Sequence, residues 1–209
     1  MKEKKQRHLS KAEQKRLAAF EAHAEELKAQ GYVRHDLTIG IGRANVISVI
    51  VLILLSVIGI SLYYLVHHRL DMSELYSLPF ILIFFALIVV HELIHGITWS
   101  LFTPHHLRDI SFGVMINSLT PYCTCGVPLK KGPYMIGTAM PLIILGILPM
   151  VIGILIGNMN LLVMGILMSV TATGDVMVIL KMLAFKSGAS DIVYMDHPTD
   201  AGLVVFEKH

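Results

Sequence analysis

Two histidines and a glutamate, His91, Glu92 and His95, sit inside the apolar run ALIVVHELIHGITWSLF. The pattern is H-E-L-I-H. On a helix, residues four apart share a face, so both imidazoles can reach one metal ion. Zinc held this way would turn a water into a nucleophile near neutral pH, with Glu92 as general base. A third ligand is needed, and Asp175 in SVTATGDVMVILKML is the leading candidate. Thr98, Thr171 and Thr173 could add outer hydrogen bonds, though Thr in apolar helices usually bonds its own backbone.

These groups lie in sequence that reads as lipid-embedded. The chain has 209 residues, 55% of them hydrophobic, with a mean hydropathy of +0.67. Four runs, at 45–66, 78–101, 134–156 and 161–184, each supply about the 20 apolar residues that cross a bilayer as a helix. Glu92 and Asp175 are the only acidic residues in these runs, and no Lys or Arg occurs at 44–68, 70–107 or 133–180. An uncompensated charge at a helix centre costs roughly 2.5–3.5 kcal/mol on insertion scales. A divalent cation is the simplest compensation, and protonation of the carboxyls is the other. His91 and Asp175 also match in depth, each about 14–15 Å from the end of its run at about 1.5 Å per residue. Gly96 and Gly174 would let the two helices approach.

Residues 1–44 carry ten of the 17 Lys and Arg. The loop at 102–133 carries three more, and the positive-inside rule puts that loop and both termini in the cytoplasm. The expectation is an all-α membrane protein of four transmembrane helices, multi-pass in the cell membrane. Residues 1–44 form a cytoplasmic helix and linker, 45–184 the transmembrane unit, and 185–209 a cytoplasmic tail.

Ser10 and Glu13 predict a capping box at the start of the N-terminal helix, and Gly31 its stop. Leu17, Phe20, Ala24 and Leu27 make a narrow apolar stripe that could rest on anionic lipid or on the protein itself. Basic residues mixed with Glu, and no reading motif, argue against nucleic acid as a partner. Residues 32–44 read as loop or short strand. The 102–133 loop, broken by prolines, reads as irregular or re-entrant with one or two short strands and no fifth span. Pro141 and Pro149 predict a kinked third span.

Other groups could hold metal. Cys123 and Cys125 form a C-x-C pair, which in a reducing compartment reads as two small buried residues or as ligands. Asp191, Asp196 and His197, in DIVYMDHPTDAG, could supply the third ligand only if the tail folded back towards the membrane.

HELIH in one membrane helix, Gly-Asp in a later one and a loop between them resemble the site-2 protease group of intramembrane zinc metalloproteases. More closely, the chain resembles a bacterial family of four-helix zincin peptidases of the membrane, over residues 31–204 and through HELIHG, TGD and DHPTDAG. The resemblance implies His91, His95 and Asp175 as zinc ligands, Glu92 as base, and a strand-like edge offered to the substrate by the intervening loop. ATGDV departs from the site-2 pattern, which has an asparagine–proline element before L-D-G. Asn117, in INSLTP, is a candidate oxyanion or substrate contact in its place.

Three functions compete. The first is a zinc metallopeptidase cutting a membrane-anchored peptide or protein near the cytoplasmic face. The second is a noncatalytic membrane protein whose metal or polar cluster is structural or binds a partner. The third is a metal carrier, disfavoured because the polar groups cluster at one depth instead of lining a path. A structural site has no use for a base beside two ligands, so Glu92 favours the first.

Overall fold

The structure is a computed structural model that describes residues 11–70, 75, 77–115 and 120–209. It is mostly helical. Three helical stretches are long and apolar enough to cross a membrane: α2 (Ile41–His67), α3 (Leu78–Ser100) and Lys131–Ile156. A fourth is counted if the bent pair α6 (Met159–Thr171) and α7 (Thr173–Ala184) makes one span. Apolar side chains along the outer faces, such as Ile53, Val57, Leu82, Phe85, Ile147 and Leu155, stay exposed. In water such a surface would aggregate, whereas in lipid it is the expected exterior.

The third stretch changes its helical type where its prolines stand. Helix α4 (Lys131–Pro141) passes through a π-helical segment, Leu142–Ile147, into α5 (Leu148–Ile156). Pro141 and Pro149 bracket the segment and remove backbone donors, so the ladder loosens there. The fourth run is not the single helix expected over 161–184. It breaks at Ala172 with a bend of 50°. Ser169 donates its hydroxyl to Gly165 O and Thr171 to Met168 O, and such back-bonding competes with the helical ladder.

The all-α expectation is corrected outside these helices. Strands β2 (Ile110–Met115) and β3 (Thr120–Cys125) form an antiparallel hairpin within the 102–133 loop, in line with the short strands expected there. Strands β1 (Val33–Thr38), β4 (Asp191–Asp196) and β5 (Gly202–Lys208) form an antiparallel sheet in the order β1-β5-β4. The supposed tail is therefore two-thirds of a sheet. Its central strand reads GLVVFEK, a β-branched apolar run, because it is covered on both faces. Val204 and Phe206 meet helix α1 (Lys11–Ala29) through Phe20, Ala24 and Leu27. Leu203 and Val205 meet Trp99, Tyr134, Met182 and Tyr194 on the other side. The apolar stripe of α1 thus lies on its own protein. Gly31 ends that helix at φ +89°, as expected, while Ser10 of the capping box lies outside the described residues.

Candidate metal centre

Helix α3 is exposed over most of its first half, and its buried residues are His91, His95, Gly96, Thr98, Trp99 and Ser100. What covers them is the hairpin on one side and α4 on the other. Gly96 admits the hairpin, since a Cβ there would lie 2.3 Å from the Phe112 ring. Gly137 of α4 admits the Trp99 ring, where a Cβ would lie 2.1 Å away. The second small residue expected to ease helix contact, Gly174, has nothing within 4 Å of its Cβ position. So Gly96 serves strand-to-helix packing, and Gly174 serves no close contact.

Asp175 enters from α7. The break at Ala172 starts a new helix, and Asp175 falls in its first turn, where free amide groups and the helix dipole favour an anion. Its Oδ2 lies 3.1 Å from His91 Nε2, and its Oδ1 lies 3.4 Å from His95 Nε2. The two Nε2 atoms are 3.1 Å apart. A tetrahedral zinc with N and O ligands at about 2.0–2.1 Å separates them by about 3.3–3.4 Å, so the spacing of the two Nε2 atoms and the carboxylate is close to what one ion needs. Among the described residues these three side chains form the group whose ligand atoms converge.

The donor chemistry fits as well. His95 Nδ1 donates to Gly137 O at 2.8 Å, leaving its Nε2 lone pair to face the cluster, the arrangement that metal-binding histidines adopt. The Trp99 ring stacks on His95 at 5.1 Å and 16°, so the imidazole plane is held too. His91 Nδ1 is buried with no hydrogen-bond partner among the described residues. Glu92 is half-buried on the same helix, which packs against β3, the strand of Cys123. The structure thus brings His91, His95 and Asp175 together, with Glu92 next to His91 on the same helix.

The other candidates fall elsewhere. Thr98 and Thr171 bond backbone carbonyls of their own helix, and Thr173 Oγ1 has no partner among the described residues. Cys123 and Cys125 are buried free thiols. Burial pushes both thiols up, Cys125 to about 12, and the Cys125 thiol donates to Val127 O. Neither joins the ligand group. Asp196 is not a third ligand. It accepts from Cys125 N at 2.8 Å and from the Tyr134 hydroxyl. Burial raises its carboxyl pKa, against the lowering effect of those two bonds. Asn117 lies outside the described residues.

Sequence reasoning missed Trp99, Tyr134 and Gly137. Trp99 carried a signal, since it continues the His91–His95 face by four more residues. Gly137 acts through its carbonyl and its missing side chain, which leave no mark in a motif.

A family model described as "Putative zincin peptidase" matches residues 84–190, from the middle of α3 to the start of β4. No curated protein and no solved structure matches.

Proposed function

The chain belongs to this zincin peptidase family, and from that premise we propose that it is an integral-membrane zinc metallopeptidase. It hydrolyses a peptide bond of a membrane-anchored substrate near the cytoplasmic face. The observation that carries the reading is the convergence of His91, His95 and Asp175 at separations of 3.1–3.4 Å on the helix that bears Glu92. Zinc held by these three side chains would polarise the scissile carbonyl and make water nucleophilic near pH 7.

The residues of the chain then divide the work. Glu92 takes the proton of the attacking water and returns it to the leaving amine. Asp175 offsets the positive charge in a region without Lys or Arg. The hairpin and α4 exclude lipid from the polar cluster, which keeps every charge interaction inside it strong. Both termini and the hairpin lie on the cytoplasmic side, where the positive-inside rule places them.

The test compares membrane proteomes of cells expressing wild type and Glu92→Gln. Gln keeps size and polarity but accepts no proton at neutral pH. A truncated single-span protein should appear only with wild type, while both proteins retain zinc. Equal cleavage by Glu92→Gln would overturn the peptidase mechanism in favour of a structural or partner-binding cluster.

A further inference from the structure

Asp196 belongs to the tail motif DHPTDAG, which the metal centre does not absorb. It ends β4, a dozen residues after the end of α7, yet its carboxylate is directed back towards α4 and the hairpin. One oxygen accepts from the amide of Cys125 on β3 and the other from the hydroxyl of Tyr134 on α4. Asp196 is partly buried; taking a carboxylate out of water is costly, and two donors offset the cost only in part. A neutral acceptor would have staged the same two bonds more cheaply.

The Tyr134 end of this link leads to His95. Tyr134 is 2% exposed. Its carbonyl accepts from Trp99 Nε1 at 3.2 Å and from the Thr138 hydroxyl at 2.8 Å. The Trp99 ring lies on His95, and the carbonyl of Gly137, three residues on from Tyr134, accepts the Nδ1–H hydrogen bond of His95. Gly137 has no room for a Cβ against Trp99, so α4 cannot rotate without moving both the ring and the acceptor. What fixes the rotation of α4 at this level is the Tyr134 hydroxyl, and what holds that hydroxyl is Asp196.

We propose that Asp196 is a positioning residue of the metal centre, which sets the orientation of His95 through Tyr134, Trp99 and the Gly137 carbonyl. The C-terminal sheet is thereby part of the site's outer support. The proposal rests on the reading of His95 as a metal ligand.

The experiment uses the full chain in detergent, with Zn2+ affinity read by competition against a chelating dye and the Co2+-loaded protein read by its visible absorption. Asp196→Asn keeps the shape and removes the charge. It should weaken metal affinity by about 10–100-fold, the range typical of outer-shell partners, and shift the Co2+ bands. Tyr134→Phe should do the same, and it keeps the proposal testable should Asp196→Asn fail to fold. The double variant should lose no more than the larger single loss, because both act through one chain of contacts. Unchanged affinity and unchanged Co2+ bands in a folded variant would overturn the proposal, even with a lowered melting temperature, since that pattern marks a purely structural role. Additive losses would also overturn it. A wild-type chain that binds neither ion would refute the metal centre itself, and the Asp196 proposal with it; the wild-type titration tells the two failures apart.

Discussion

Helices α2 and α3 are alike in length and apolarity but opposite in what they can carry. Between Arg43 and Tyr63, α2 has no ionisable side chain, and its buried residues are Gly59 and Tyr63. One side of it packs on α6 and the rest stays exposed and largely apolar, with Asn and Ser its only polar side chains and no charge between Arg43 and Tyr63. Helix α3 begins the same way, with Leu78, Leu82 and Phe85 exposed. From His91 onward the hairpin and α4 cover one face of it, and on that half the helix holds two imidazoles, a carboxylate and an indole. Polar residues enter a membrane helix where a neighbour has been built to receive them. Here the neighbours are a hairpin, a sheet-anchored helix and one aspartate.

Substitutions can break that contrast, and the largest effect belongs to the ligands. His91→Ala should abolish zinc binding, as read by elemental analysis of the purified protein, because two remaining ligands hold the ion poorly. Zinc retained by this variant would put the ion elsewhere. Asp175→Asn should weaken binding by more than the roughly 10–100-fold of an outer-shell change, since it removes the anionic ligand. Dye competition measures it.

Gly137→Ala comes next. The added methyl meets the Trp99 ring, and overpacking of this kind costs about 1–3 kcal/mol. Unfolding in mixed micelles should show it, together with weaker zinc binding because the acceptor of His95 moves. On the other side of the comparison, Ile53→Ala on α2, which is 56% exposed, should stay within about 0.5 kcal/mol. A large loss there would mean that protein, not lipid, covers α2.

The smallest effect lies in the sheet. The Lys130 ammonium and the Tyr32 hydroxyl hold the Asp191 carboxyl below its usual value of 3.8. A lowered folded pKa contributes stability above that usual value and loses it as pH falls through the folded one. Lys130→Met should therefore flatten the acid limb of the stability–pH curve. At neutral pH it should barely change the melting temperature, since the pair is solvent-exposed.

The contrast between α2 and α3 was legible in sequence because hydropathy and charge are local. An 18-residue apolar run needs no knowledge of its neighbours, and H-E-L-I-H needs only helical periodicity. Asp175 was legible because an acid without a basic partner stands out in such a run. The sheet was not, since β1 and β5 are separated by the whole helical unit and their pairing depends on register. VRHDLT shows little apolar alternation, and GLVVFEK looks equally like a short helix or strand until both faces are seen to be covered. The break at Ala172 was missed because Ser and Thr back-bonding leaves hydropathy unchanged. Asp196 was noticed for its chemistry, but its partners come from β3 and α4, and no spacing rule links them.

The contact between His91 and Asp175 joins positions 84 residues apart. A ribosome adding about 5–20 residues per second takes roughly 4–17 s to cover that distance. During that interval the nascent chain holds HELIH already inserted, with no third ligand yet made. The polar cluster on α3 therefore closes only once α7 has been made, so the wide chain separation of these residues sets an order of assembly for the site.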